Sequence, residues 1–324
     1  MKYCKVLLVI ALLGIIAVPA LTATKWNFSI GTSTLGGSFY IMGAPWAKVI
    51  SEHVPDAIAT VQATNGPSAN IQLIERGEMK LAYVSSAAAY EGWNGLNWAK
   101  GTKYQRMRTM FTTYSSYFEM VTLSKISIKN IRDLQGKRVH MSMPNGTPDI
   151  AMTKCLEELG IKPKDKQYMQ TEQAIDQLKD GKIDVVIFAM GLPTSMILDL
   201  QSTHDIRVVD ISKEDIDLIN SKYPYFAKGI IPAGTYENMP NDVNTFVFWN
   251  YAVCDKDLPD ELVYQITKAA FENKADFEAA SAYGKELAAK NIANAVVPLH
   301  PGAVKYYKEI GINIPSNLLP PESK

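Results

Sequence analysis

Between residues 25 and 90 one unit occurs three times: a short apolar strand, a turn of glycine, serine, threonine or asparagine, then a helix. This alternation constrains the chain more than any single motif. Strands separated by helices pair in parallel, helices cover both faces of the sheet, and ligands sit outside the carboxyl ends of the strands. In the first unit Lys25-Trp26-Asn27-Phe28-Ser29-Ile30 alternates large apolar with polar side chains, Gly31 to Gly37 forms the turn, and Tyr40, Met42, Trp46, Val49 and Ile50 mark a helical apolar face. A helix starting there points unpaired N–H groups into the turn, which favours a negative group. The turn lacks the Gly-Lys-Ser/Thr triplet of a P-loop and its glycines break the dinucleotide order, so no nucleotide is implied.

The second unit leads from a strand at 57–63 into Thr64-Asn65-Gly66-Pro67-Ser68, with Ser68 as the expected cap and Gly77 as the stop. The third leads from 79–84 into Ser85-Ser86 and a helix through Tyr90. Three helix starts thus converge on one rim. Two strand-like runs, 107–114 and 117–123, flank Ser115-Ser116, after which the pattern restarts with a strand ending near Met141 and the turn Pro144-Asn145-Gly146-Thr147-Pro148-Asp149. Thr147 fits the cap and Pro148 the first helical position, where a missing N–H costs nothing. Passages 74–84 and 178–188 share a plan of helix end, glycine stop, charged residue and apolar strand, and the second delivers Ala189-Met190-Gly191-Leu192-Pro193-Thr194, another helix start. Strand 206–211 and polar helix 212–221 lead to an ordered loop region at 223–236. Run 246–253 reads as a long buried strand crossing back, and 259–283 and 303–310 as helices with Leu262, Ile266, Ala269 and Ala270 on one stripe. The expected architecture is two α/β lobes joined by crossing strands, with a ligand cleft between them. Lobe 1 is discontinuous, 24–115 with 245–324, and lobe 2 spans 116–244.

The first residues place the chain. Lys2 and Lys5 form a basic start, 6–18 an apolar run and Pro19-Ala20-Leu21-Thr22-Ala23 a small-residue cleavage region, the pattern of a signal peptide over 1–23 cut after Ala20 or Ala23. Cys4 precedes the apolar run, which argues against a lipid anchor. Removing Lys2 and Lys5 takes the formal net charge from 0 to −2, so nothing basic enough to seek nucleic acid remains. Cys155 and Cys254 survive cleavage, with unpaired buried thiols as the default and a disulfide as the alternative. No His, Cys or acid cluster has metal-ligand spacing, and no cofactor is expected.

These residues together resemble a known family. Gly31 to Tyr40, Asn65-Gly66-Pro67-Ser68-Ala69-Asn70, Asp133-Leu134-Gln135-Gly136-Lys137-Arg138-Val139, Ile231-Pro232-Ala233-Gly234-Thr235-Tyr236 and Leu299-His300-Pro301-Gly302-Ala303-Val304-Lys305-Tyr306-Tyr307-Lys308-Glu309-Ile310-Gly311 are similar to the TAXI group, solute receptors of tripartite ATP-independent periplasmic (TRAP) transporters. The resemblance implies a monomeric, non-enzymatic periplasmic receptor of the type II binding-protein fold. Such a receptor captures a small organic anion, a dicarboxylate such as 2-oxoglutarate or a glutamate- or glutamine-like amino acid, and delivers it to an ion-gradient-driven membrane permease. Carried over by position, the site involves Thr32, Gly36, Gly37, Ser38 and Tyr40, then Asn65, Ser68 and Ser86. The opposite lobe offers Asn145, Gly146 and Thr147, with Gly191 and Pro193 beside them. The family's Gln-Ser-Asp triplet is Ser85-Ser86-Ala87 here, which tilts the expected ligand toward a carboxylate without an amine.

None of the helix-start turns contains Arg or Lys, so backbone N–H groups, hydroxyls and amides would hold a carboxylate. Asp149 either offsets its helix dipole or meets a ligand ammonium. Tyr40, Tyr90 and Trp93 either pack in the core or wall the ligand, Tyr40 being the best placed. His300 before a helix start reads as structural, since neither a nucleophile elbow nor a metal pair accompanies it. The alternatives left open are a periplasmic sensing module for a membrane kinase and, behind it, an enzyme on the same scaffold.

Overall fold

The computed structural model describes residues 26–323; the signal segment and its cleavage sites lie outside the described residues. The chain opens with β1 (Trp26–Gly31), α1 (Ser38–His53), β2 (Ala57–Gln62), α2 (Pro67–Glu75), β3 (Leu81–Ser85) and α3 (Ser86–Asn94). β1 pairs in parallel with β2 from Trp26 opposite Ala57 to Gly31 opposite Gln62, and with β3 through Ile30 and Gly31. All three strands therefore end on the same rim. Phe28 and Ile30 point into the core from β1 while Asn27 and Ser29 face outward, the alternation that the sequence carries.

β4 (Met107–Leu123) is one strand of 17 residues where the sequence suggests two runs. Its polar centre stays in the ladder because Ser115 and Ser116 pair with Trp249 and Phe248 of a later strand. A partner strand thus overrides the local weakness of a Ser-Ser pair. The chain continues through β5 (Arg138–Ser142), α4 (Thr147–Glu158), β6 (Asp165–Tyr168), α5 (Thr171–Lys179), β7 (Val186–Met190), α6 (Ser195–Gln201), β8 (Ile206–Val208), α7 (Lys213–Lys222) and β9 (Ala227–Ile231). β10 (Val243–Asp255) crosses back, and α8 (Asp260–Glu272), α9 (Lys274–Ala280) and α10 (Pro301–Glu309) follow.

The main sheet runs β2-β1-β3-β10-β4-β7, with β8 on β4 and β9 on β10; β5 and β6 form a second, parallel pair. The sheet is mixed where a parallel one is expected, because the two crossing strands β4 and β10 lie antiparallel to each other and β10 antiparallel to β3. Two lobes result. One packs β1, β2 and β3 with α1, α2, α3, α8 and α10, and the other packs β5 to β9 with α4 to α7. β4 and β10 belong to both, and their mutual register slips between Trp249 and Tyr251.

The larger core centres on Trp46, fully buried and set edge-on to Tyr83 (5.1 Å between ring centroids) and to Phe111 (5.6 Å). Burying a side chain of the size of Phe111 stabilises by roughly 1.5–3 kcal/mol. A second cluster, including Val121, Leu178, Phe188 and Ile197, packs behind β7, while β5, α4 and α7 of the same lobe join the larger core through Val139, Met141, Ile150 and Ile216. Leu262, Ile266, Ala269 and Ala270 of α8 are buried as their spacing implies. The run 259–283 breaks into α8, α9 and a short 3-10 turn instead of one helix. His300 caps α10, Nδ1 accepting from the Gly302 N–H at 3.1 Å, which is the structural role its position before a helix start suggests. Cys155 and Cys254 are buried and unbonded to each other.

Candidate functional site

The site begins with three helix starts that no side chain caps: Gly37 at α1, Gly66 at α2 and Gly146 at α4. Ser85, Ser212 and His300 cap α3, α7 and α10 with their own side chains, while α5, α6, α8 and α9 also start without a side-chain cap, α8 and α9 away from this site. A helix leaves its first N–H groups without intrahelical partners, so the uncapped starts present free donors and the positive end of the helix dipole. Glycine at the cap position is what leaves that space open.

Around these starts lies a cleft with about 110 Å³ of accessible space. Ser33, Thr34, Gly37, Ser38 and Phe39 line it from the first turn, and Asn65, Gly66 and Pro67 from the second. Facing them are Ser142, Met143, Gly146, Thr147 and Pro148, with Thr171 and Glu172 from the start of α5. Phe188, Ala189, Met190 and Met196 close the far side, and Ser116 and Asn250 of the crossing strands form the floor. The walls thus come from both lobes.

Hydrogen bonds already span the lobes. The Ser68 hydroxyl donates to the Asn145 carbonyl at 3.0 Å and the Thr147 hydroxyl donates to Ser85 Oγ at 2.8 Å. Further out, Lys154 Nζ donates to Asn97 Oδ1 at 3.2 Å, and the Tyr225 hydroxyl donates to Glu91 Oε1 at 2.7 Å. Burial raises the Glu91 carboxyl above its ordinary value. Asn70, fully buried on α2, organises the rim from beneath: Nδ2 donates to the carbonyls of Thr32 and Tyr83, both at 2.8 Å, and Oδ1 accepts from Thr64.

Of the residues expected at the site, Gly37, Ser38, Asn65, Gly146 and Thr147 line the cleft and eight do not. Thr32 is fully buried and donates to the Gln62 carbonyl, and Gly36 is an exposed turn residue with φ +77°. Tyr40 lies one helical step past the wall; α1 starts at Ser38, and its phase turns Phe39 inward instead. Ser68 sits inside α2, whose cap is Gly66, and spends its hydroxyl on Asn145. Ser86 donates to the Tyr225 carbonyl at 3.0 Å, away from the cleft. Asn145 is exposed and offers only its carbonyl to Ser68, Gly191 is packed so closely on Tyr283 that a Cβ would lie 2.3 Å from the ring, and Pro193 faces solvent. Thr147 is the first helical residue and Gly146 the cap, one step from the expected assignment.

Other candidates are structural. Asp149 accepts from the Asn145 N–H at 2.7 Å and from Thr153, so it locks the turn before α4. Burial pushes its carboxyl above the ordinary range. The Tyr90 ring packs on Tyr225, and Trp93 lies under the Arg108 guanidinium. Sequence reasoning missed Asn250, Ser116, Phe188 and Glu172. Only Asn250 left a signal, a lone amide inside the apolar run 246–253, where a buried polar group demands a partner.

A two-lobe mixed sheet with its cleft over the crossing strands defines the class: this is the fold of the type II periplasmic solute-binding proteins. The chain belongs to the NMT1-like family, whose model matches residues 30–311. Solved structures agree on the fold. An ancestral arginine-binding protein bound to arginine is 13% identical at TM-score 0.51, covering 82% of this chain and 99% of its own. A Xanthomonas citri protein bound to ATP is 9% identical at TM-score 0.53, covering 88% and 95%. The Streptococcus mutans structure solved for glutathione import via GshT and the cystine ABC importer TcyBC is 13% identical at TM-score 0.51, covering 80% and 95%. At such identities the likeness speaks for the fold alone, and the ligands of those proteins differ too widely to choose one for this chain. Among the described residues no helix is long and apolar enough to cross a membrane.

Proposed function

We propose that this chain is an exported solute receptor: it closes two lobes over one small carboxylate-bearing molecule, without converting it, and hands it to a membrane permease. One observation carries the reading. Uncapped helix starts from both lobes surround a single cleft, and hydroxyls on the same turns bond across it. Hydrogen bonds to a charged acceptor contribute about 1.5–3 kcal/mol each, so a few of these donors suffice for micromolar binding after the entropy of capture. In this reading the lobes meet at the expected boundaries, 115/116 and 244/245, and the register slip beside Asn250 offers a place for β10 to bend.

The solute classes in play are the dicarboxylate and the amino acid that the TAXI resemblance implies. That resemblance also points to a TRAP permease driven by an ion gradient, whereas the Streptococcus mutans structure was solved for import through an ABC importer. A thermal-shift screen of organic acids and amino acids tests the receptor reading, since a bound solute raises Tm by mass action. The expected result is a saturable rise with at least one carboxylate and no turnover of it; a screen in which nothing stabilises the chain contradicts the reading. Uptake into vesicles carrying the partner permease separates the two transport modes: an imposed ion gradient suffices for TRAP, and a requirement for ATP rejects it.

A further inference from the structure

Three features of the cleft go further than a carboxylate receptor requires. Asn250 is 1% exposed and lies on the cleft floor, where Nδ2 donates to the Tyr114 carbonyl at 3.1 Å and to Ser116 Oγ at 2.8 Å. A main-chain carbonyl only accepts, so the amide nitrogen is fixed toward Tyr114 and the oxygen toward the other side. That oxygen, Oδ1, is buried without any hydrogen-bond partner. A buried acceptor left unpaired is costly, and a donor that reaches it from the cleft, whose floor Asn250 forms part of, removes that cost. The second feature is charge: among the described residues Glu172 is the one charged residue on the wall, with no Lys, Arg or His beside it. The third is the apolar surface of Phe39, Met143, Phe188, Met190 and Met196.

Resting on the receptor reading above, we propose that the solute is an α-amino acid with an apolar side chain. Its carboxylate lies at the helix starts. Its ammonium donates to Asn250 Oδ1 and is balanced in charge by Glu172, and its side chain packs on the methionines and phenylalanines. A second carboxylate finds no cation here and meets Glu172 instead. A 2-oxo acid leaves Asn250 Oδ1 unanswered. This reverses the lean toward an amine-free ligand that Ser85-Ser86-Ala87 suggests, because the acceptors come from β10 and α5, outside that triplet.

Isothermal titration calorimetry of the mature chain with L-leucine, L-methionine, 4-methyl-2-oxopentanoate, L-glutamate and 2-oxoglutarate tests the proposal. The expected result is binding of leucine or methionine at least tenfold tighter than that of the 2-oxo analogue, glutamate or 2-oxoglutarate. Glu172→Gln, at an exposed position where folding is not at stake, should weaken leucine about tenfold and leave the 2-oxo analogue unchanged. Tightest binding of glutamate or 2-oxoglutarate overturns the proposal while the receptor reading stands, and so does equal binding of leucine and its 2-oxo analogue. Absence of binding across the panel overturns the proposal, and the receptor reading falls with it only if the wider thermal-shift screen is also blank.

Discussion

Glu119 shows how much one residue beneath the cleft can hold. It is fully buried on β4, with Thr194 Oγ1 donating to Oε2 at 2.5 Å and the Tyr236 hydroxyl donating to Oε1 at 2.5 Å. Thr194 precedes α6, which carries Met196 of the cleft wall. Burial pushes the Glu119 carboxyl up to about 7, with no cation bonded to it. The unfolded chain ionises the same group near pH ~4.3. Between these values the unfolded state releases its proton first, so stability falls as pH rises, and above pH ~7 the deficit is constant at roughly 4 kcal/mol. Glu119→Gln lacks this titration. Urea unfolding should therefore show the native chain losing about 2–3 kcal/mol relative to Glu119→Gln between pH 5 and pH 8; a difference that stays flat with pH contradicts the assignment.

At the scale of elements, α2 and α4 approach head to head across the cleft, joined by Ser68 to Asn145, while Thr147 of α4 reaches Ser85. Contacts made only between closed lobes bias the equilibrium toward closure. Each neutral bond is worth about 1 kcal/mol, so Ser68→Ala with Thr147→Val should weaken solute binding about tenfold and enlarge the ligand-free radius of gyration in small-angle scattering. An unchanged radius and affinity would show that these bonds do not govern closure. The three strand-turn-helix units were legible because local chemistry sets them: a turn of glycines and hydroxyls, alternation for the strand, the glycine stop at Gly77 and again at Gly181; the caps were not, since Gly66 and Gly146 stand where Ser68 and Thr147 are expected. Which hydroxyl faces the cleft was not legible. Helix phase decides between Tyr40 and Phe39, and a one-residue shift of the start rotates every side chain by about 100°. Ser68 and Ser86 were claimed by carbonyls of the other lobe, a partner that no local window contains. β4 stayed whole, and β9 appeared, because β10 pairs with both.

For the molecule as a whole, a cleft between two lobes, walled among the described residues by donors without a cation, suits the proposed holding and release of a solute. The crossing strands bear on how it moves. Asn250 and Ser116 lie where those strands meet the cleft floor, so the ligand would touch the very segment that bends. Native mass spectrometry of the mature chain, after incubation with a pool of amino acids and organic acids, tests this most directly. The account predicts one solute held per chain and released with its mass unchanged. A chain that retains nothing from the pool, or that releases a molecule of altered mass, contradicts it.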